Sequence, residues 1–450
     1  MKNNWLMDIV CDKSKCTGCS LCSDICAHGA IEMKLDEDGF IAPVIDQSKC
    51  VNCTLCQKCC PVLHPDRLDS NSLKDLKVYE AWSLDDDVRQ NSSSGGIFGQ
   101  LAHNVLRDGG VVIGVAFDGK KAFHTVIDKV EDLHRVQDTK YVQSHAHGAY
   151  RATLQNLRAG KKVIFSGTPC QVAACKSYLL NKKYTGQLLT MEVVCHGVPT
   201  YLALNQSLSY IGASRVISFR DKTNGWGYHS QHMCYESQDG SLIYKNREDD
   251  VFYRMFFCEK LLRSSCYSCP FAHLPRVADI TIGDSWGTSN SNREEQFKGL
   301  SLLLINNPTG EQWLKKYCDI KLRTTSWLDS LYINRNVYTP FPPANMVERI
   351  RDIHTFMTEM DVEEYMSRTT LGFIEKMHPV KCWSRKIESL NIRLRRKFLQ
   401  IKELSDLTYF KYHLLKISYK IDSLLNPKPS ARYLDGKFIN VLRNLYQAKK

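Results

Sequence analysis

Cys16, Cys19, Cys22 and Cys26 follow the spacing C-x2-C-x2-C-x3-C, and the same spacing recurs 34 residues later at Cys50, Cys53, Cys56 and Cys60. A loop that offers a thiolate at every third residue can wrap three corners of an iron–sulfur cubane, and the fourth thiolate must come from elsewhere. In a tandem pair the fourth cysteine of each motif serves the other cluster. The repeat therefore predicts Cys16, Cys19, Cys22 and Cys60 around one [4Fe-4S] cluster, and Cys50, Cys53, Cys56 and Cys26 around a second. Pro61 follows the second motif as the bacterial pattern requires, whereas Ala27 takes that place after the first, which removes no ligand. A zinc site has no use for the third closely spaced cysteine. Cys11 and Cys59 are left as spare thiols.

A second constellation lies further on. Cys170 follows Gly167-Thr168-Pro169, Cys195 opens Cys195-His196-Gly197-Val198-Pro199, and Cys266 and Cys269 form a C-x2-C pair. Two thiols at neighbouring strand ends plus a close pair supply four ligands for zinc or iron; buried structural cysteines are the other reading. Cys195 and His196 are adjacent and so face differently, which excludes a nucleophile–base dyad. The turn Ser92-Ser93-Ser94-Gly95-Gly96 opens a helical pattern. Its hydroxyls and free amides suit a phosphate, and equally suit an ordinary helix cap. Neither a Rossmann nor a P-loop glycine pattern occurs in a suitable place.

These residues need elements to hold them. Residues 30–33 and 40–44 flank Asp36-Glu37-Asp38-Gly39 and predict a hairpin between the two cysteine motifs. Pro, Asp and Ser mark residues 61–76 as a linker. Beyond it the pattern predicts a helix over 97–107, strands over 111–117, 122–127, 162–165, 188–194, 278–282 and 300–305, and a helix after Pro169. Strands alternating with helices predict a largely parallel or mixed sheet with its function at the strand C-terminal ends. The fold class expected is α+β: a two-cluster module over 1–65, a linker over 66–77, a mixed α/β domain over 78–345 and a mainly helical, basic region over 346–450.

The chain has 450 residues, 43% hydrophobic and 24% charged, which excludes wholesale disorder. Ten of its 19 cysteines fall in the first 60 residues, and no apolar run is long enough to span a membrane. The first residues lack a secretion pattern, so the expectation is a cytoplasmic protein in which dense cysteine means metal or redox chemistry. Residues 385–450 carry 16 Lys and Arg against 5 Asp and Glu, so +11 of the net +12 sits in the tail. There Ile387, Leu390, Leu394, Phe398 and Ile401 through Leu424 step by three or four, an amphipathic helix with a basic outer face. That stripe can pack on the body or a second copy, dock a partner, or lie peripherally on an inner membrane face. Nucleic acid is not expected as a partner.

Several stretches together resemble one family. Ser92-Ser93-Ser94-Gly95-Gly96-Ile97-Phe98, Lys140-Tyr141-Val142-Gln143-Ser144, Gly167-Thr168-Pro169-Cys170-Gln171, Cys195-His196-Gly197-Val198-Pro199, Phe219-Arg220-Asp221-Lys222-Thr223-Asn224-Gly225-Trp226, Cys266-Tyr267-Ser268-Cys269 and Asp279-Ile280-Thr281-Ile282-Gly283-Asp284-Ser285-Trp286-Gly287 occur in this order. In them the chain is similar to the beta subunits of coenzyme F-420 hydrogenases and dehydrogenases, in the form with an N-terminal two-cluster ferredoxin domain. The resemblance covers roughly residues 1–310 and omits the tail. It implies an FAD-binding domain that is not a Rossmann fold, and a third [4Fe-4S] cluster on Cys170, Cys195, Cys266 and Cys269. It also implies flavin contacts at Ser92, Ser93, Ser94, Gly95, Gly96, Lys140, Tyr141, Gln143, Thr168 and Asp284. Arg220 and Lys222 become candidates for an anionic cofactor or substrate, against a solvated basic turn.

The resulting expectation is an iron–sulfur flavoprotein oxidoreductase. It would pass single electrons between clusters and FAD, and FAD would exchange a hydride with the deazaflavin coenzyme or another organic substrate. The alternative is an electron-relay subunit with no substrate of its own that docks a catalytic partner.

Overall fold

Val111, Ile113, Val163 and Phe165 face one side of a sheet and Val112 and Ile164 the other, so alternate residues of the same strands build two separate cores. The computed structural model describes residues 10–68, 71–226, 232–286, 293–325, 334–340 and 349–366. By its contacts the chain divides into residues 1–325 with 329–358, and residues 326–328 with 359–450. The first unit carries everything below. The amphipathic helix predicted over 387–424 lies outside the described residues.

The two cysteine motifs flank a hairpin, β1 (Ile31–Leu35) and β2 (Ile41–Ile45), as predicted. Its turn closes through Asp36, whose backbone accepts from Gly39, where φ is +77°. The body is built on β3 (Lys77–Ser83), β4 (Val111–Phe117), β5 (Ala122–Ile127), β6 (Ser144–His145), β7 (Lys162–Gly167) and β8 (Gln187–Val193). A smaller antiparallel sheet follows, of β9 (Ala213–Asp221), β10 (His232–Ser237) and β11 (Leu242–Asn246). The chain then returns with β12 (Ile280–Asp284), β13 (Ser301–Ile305) and β14 (Ile320–Thr324).

The main sheet has the order β14-β3-β13-β12-β8-β7-β4-β5-β6 and is mixed. Its centre, β12-β8-β7-β4, is parallel, so four C-terminal ends share one edge. Helices Ala149–Arg158 and Pro169–Leu179 cover one face, and Ile97–Arg107 and Pro308–Tyr317 the other. The strand expected at 278–282 starts two residues later. Asp279 is taken up in accepting from the Thr190 N–H and hydroxyl, each at 2.7 Å. β9, which carries Arg220, has no clean two-residue period because register shifts interrupt its pairing with β10.

The stretch read as a linker is packed down. Leu68 and Leu76 are buried, and Asn71 Nδ2 donates to the carbonyls of Arg276 (2.7 Å) and Ala278 (2.9 Å). The cysteine module is fixed to the body by polar contacts over long sequence separations. Buried Asp24 accepts from Gly148 N (2.5 Å) and Tyr150 N (3.1 Å), satisfying the N-terminus of the body's helix 149–158. The Tyr150 hydroxyl donates to Cys19 O at 2.5 Å, and Ser177 Oγ to Cys59 O at 2.7 Å.

Gly18 is the tightest point of this junction. Its φ is +62°, and an added Cβ would lie 2.4 Å from Gln143 Nε2 and from Ile41 O. Gly18→Ala therefore meets a left-handed backbone cost of about 1–2 kcal/mol plus a clash. The expected outcome is faster protease cleavage between residues 61 and 76 than in wild type, with loss of iron from the first motif. Limited proteolysis with iron counting checks it.

Candidate functional site

In the cysteine module the structure places Cys60 of the second motif beside Cys16 and Cys22 of the first, and Cys26 of the first beside Cys56 of the second. The Cys22 thiol is pushed up by burial and then by the sulfurs of Cys19, Cys16, Cys60 and Cys56, so Cys60 of the second motif sits with the first. Cys56 is raised by burial, with Cys53 and Cys26 beside it, so Cys26 of the first motif sits with the second. Cys50 begins that same loop and Cys53 is exposed. The helical turns Leu21–Ile25 and Leu55–Lys58 position the motifs, entered through left-handed Ser20 and Thr54. Cys11, a spare thiol by its spacing, is buried against Cys60, and its S–H favours the Cys60 thiolate.

The body cysteines also converge. Thr168-Pro169 opens helix Pro169–Leu179 at the end of β7: Gln171 Oε1 accepts from Thr168 N at 3.0 Å, and Pro169 lacks an N–H where none is needed. Cys170 thus stands in the helix's first turn. Cys195 follows β8, where Gly197 at φ +107° turns its N–H back onto the Cys195 sulfur at 3.4 Å. Bonding of Arg263 N to Val198 O (3.0 Å) brings this segment beside the turn Ser264–Ser268, which carries Cys266.

Cys170, Cys195, Cys266 and Cys269 line one cavity of about 50 Å³. All four are half-buried and border that cavity. Burial raises each thiol, and its neighbours add to this. Cys195 is pushed up to about 12 beside Cys266 and Cys170, and Cys266 to about 11 beside Cys170. Cys170 and Cys269 shift the same way. Four buried thiols that repel one another's charge are a donor set waiting for cations, since coordination deprotonates a thiol outright. Among the described residues no three His, Cys, Asp or Glu converge to hold a single ion. A cubane instead takes its thiolates at four separate irons, and these four stand around a cavity.

A cleft of about 770 Å³ opens beside this cavity, within the range of small-molecule sites. Ser144, Thr168, Gln171, Cys195, Gly197, Val198 and Asn336 line both spaces, so the two share a wall. The cleft lies at the C-terminal ends of β7, β8 and β12. Of the residues expected here, Ser92, Ser93, Ser94, Gly96, Lys140, Tyr141, Thr168, Arg220 and Asp284 line it. Ser93 Oγ donates to Asp138 at 2.6 Å, and Gly96, at φ +84°, starts helix Ile97–Arg107. Lys140 Nζ donates to the Gln137 and Asp138 carbonyls, and burial lowers its pKa to about 8.

Arg220 is buried, not part of a solvated turn. Its Nη1 donates to both Asp284 oxygens (2.9 and 2.8 Å), while Nε and Nη2 have no hydrogen-bond partner among the described residues. Unpartnered buried donors are costly, and an acceptor-rich ligand in this cleft would satisfy them.

Three expected contacts stand elsewhere. Gln143 does not line the cleft: its Nε2 donates to Thr17 O (3.0 Å) and Gly18 O (3.2 Å), and its Oε1 accepts from Ile41 N (3.2 Å), so it ties down the cysteine module. Lys222 does not meet an anion. A buried ammonium needs acceptors, and it takes the carbonyls of Arg89, Ser94 (3.3 Å) and Lys298 (3.2 Å), bracing the serine turn from behind. Gly95 lies against the sheet, where a Cβ would meet Ala81 O at 2.4 Å.

The structure adds residues the motifs did not single out. Trp286 lines the cleft, stacked on Trp226 at 4.7 Å and 6°, and both stand in quoted stretches. Phe256, Phe257 and His196 form another wall, with His196 Nε2 3.4 Å from Glu259. Phe256 and Phe257 come from helix Val251–Phe257, capped by Asp250, which accepts from Tyr253 N (2.7 Å) and the Tyr235 hydroxyl (2.6 Å).

Burial raises Asp250 to about 6. The folded form then binds a proton that the unfolded chain has released, so stability rises as pH falls from about 6 to about 4 and is lowest above 6. Asp250→Asn keeps the cap without the charge. It is expected to raise the apparent Tm at pH 8, by up to about 3 kcal/mol of stability, with the gain shrinking at pH 5. Thermal melts at the two pH values check this.

Two loops with crosswise cysteines, a third four-cysteine cavity and a cleft sharing its wall define an iron–sulfur electron-transfer protein. Family models agree. The coenzyme F420 hydrogenase/dehydrogenase beta subunit N-term matches residues 78–150, its C terminus matches residues 160–328, and the 4Fe-4S dicluster domain matches residues 15–63. The chain belongs to the coenzyme F420 hydrogenase/dehydrogenase beta-subunit family and is an iron–sulfur oxidoreductase of that family with an N-terminal ferredoxin-type module. No curated protein matches it. Among solved structures it is similar to a chain of the F420-reducing [NiFe] hydrogenase complex from Methanosarcina barkeri. The identity is 16% and the TM-score 0.39, over 66% of this chain and 91% of that one. No helix among the described residues is long and apolar enough to cross a membrane.

Proposed function

We propose that the protein is an iron–sulfur flavoprotein oxidoreductase with three [4Fe-4S] clusters and FAD, acting on the deazaflavin coenzyme F-420 or another organic substrate. When bound, the clusters move single electrons, and the flavin converts them to the two-electron hydride chemistry of the substrate. The observation that carries this reading is the shared wall: Cys195 and Thr168 border both the four-cysteine cavity and the cleft.

The chain's own residues do the rest. Ser92–Ser94 and the N-terminus of helix Ile97–Arg107 offer donors for a phosphate. Arg220 offers two donors to a further acceptor, held in aim by Asp284. Phe256, Phe257 and Trp286 exclude water and present flat faces to a ring system. The exposed edge at Cys53 is where a redox partner protein would exchange electrons with the second motif.

The test is anaerobic iron, sulfide and flavin quantitation of purified protein. About twelve irons and one FAD per chain support the reading. About eight irons and no flavin would leave an electron-relay subunit whose substrate chemistry belongs to a partner.

A further inference from the structure

Arg263 joins the cysteine module to the body cysteines through both its side chain and its main chain. Its Nη1 donates to Cys16 O at 2.8 Å and its Nη2 to Ile41 O, with Gln143 Oε1 at 3.4 Å. Its carbonyl accepts from Cys266 N at 2.9 Å. One residue thereby spans from the loop of the first motif to the turn of the body's cysteine pair. The residue is only 5% exposed, its guanidinium lies 5.3 Å over the Phe40 ring, and Nε has no hydrogen-bond partner among the described residues. No carboxylate among the described residues pairs with it; every interaction it makes is to a carbonyl, an amide or a ring.

A buried guanidinium without a counter-charge is strongly disfavoured. Its guanidinium holds the carbonyl of Cys16 and its own carbonyl holds the N–H of Cys266, so clusters carried on those two loops would flank it. Cysteine-ligated clusters are net anions that become more negative on reduction, and net charge and hydrogen bonding set their potentials.

We propose that Arg263 is the positioning residue for electron passage between module and body, the buried counter-charge that fixes the spacing of the first-motif and body clusters and makes the body cluster easier to reduce. The inference rests on the reading that the four body cysteines hold a cluster. The step is a one-electron transfer: one centre is oxidised, the other reduced, and no bond forms or breaks. The electron comes from a low-potential one-electron donor, dithionite in the test.

The test compares full-length wild type, Arg263→Met, Arg263→Gln and Arg263→Lys. Iron and flavin are counted first, and reduction is then titrated anaerobically by EPR. The body cluster is identified as the signal lost in Cys195→Ser. With iron retained, the two neutral variants are expected to shift its reduction at least tenfold, about 59 mV for one electron, towards more negative potential. Arg263→Lys keeps the charge and is expected to stay within half of that shift. Loss of iron from both neutral variants but not from Arg263→Lys would also support the counter-charge role. Unchanged potentials in neutral variants with full iron would overturn the proposal, as would Arg263→Lys losing iron like the neutral pair. A wild-type chain with only about eight irons would instead sink the body cluster itself, independently of Arg263.

Discussion

Cys195→Ser protein is expected to carry about eight irons instead of about twelve, to keep its flavin, and to lose electron delivery from the ferredoxin-type module to the cleft. Cys195 is one of four thiols around the body cavity, and serine is a poor ligand for iron held by soft sulfur. The change is nearly isosteric, so packing survives: the Gly197 N–H that meets the sulfur at 3.4 Å can meet the hydroxyl, and Asn336 Nδ2 still holds the Cys195 carbonyl at 3.2 Å. The two module clusters would draw on the proposed ligands Cys16, Cys19, Cys22, Cys60, Cys50, Cys53, Cys56 and Cys26, and the change leaves all of these in place. Stopped-flow absorbance after mixing with dithionite-reduced donor separates the steps. Module bleaching should keep its wild-type rate, while flavin bleaching should slow by orders of magnitude. Flavin reduction at the wild-type rate would mean that the body cavity is not on the route.

Arg220→Ala is the second change with a large expected effect. The protein should retain all its iron and lose flavin on gel filtration. Arg220 has two buried nitrogens, Nε and Nη2, with no hydrogen-bond partner among the described residues. A hydrogen bond involving a charged group contributes about 1.5–3 kcal/mol, so two of them correspond to roughly a hundredfold or more in flavin affinity. The substitution also strands Asp284, which accepts both of its hydrogen bonds from Arg220 Nη1. Arg220→Ala with Asp284→Asn removes that stranded charge and should recover stability but not flavin. Arg220→Lys keeps the charge and loses the planar fork, and should fall between. Full flavin occupancy in Arg220→Ala would place the cofactor elsewhere.

The parts of the site that were legible in the sequence are those set by local spacing. Three proposed ligands of each module cluster lie within seven residues of one another, and the repeat of 34 residues supplies the candidate fourth. The strands at 111–117 and 122–127 and the helix at 97–107 appear as read, because apolar periodicity and turn residues act over short range. Thr168-Pro169 likewise announced the helix start that carries Cys170.

What only the tertiary structure decided depends on partners roughly 60 to 250 residues away. Gln143 and Lys140 sit in one short motif, yet Gln143 turns to Thr17, 126 positions distant, while Lys140 faces the cleft. Arg220 and Lys222 look alike in sequence. Lys222 spends its donors on carbonyls and Arg220 keeps two for the cleft, because Arg220 is held in β9 while Lys222 lies just past its end at Asp221. Arg263 carried no signal at all, since its meaning lies in where the first motif docks. Cysteine spacing encodes a cluster's ligands because a loop is a local object. The wall between cavity and cleft is made where Ser144 of β6, the helix start after β7 and the segment after β8 meet, and only their packing brings those residues together.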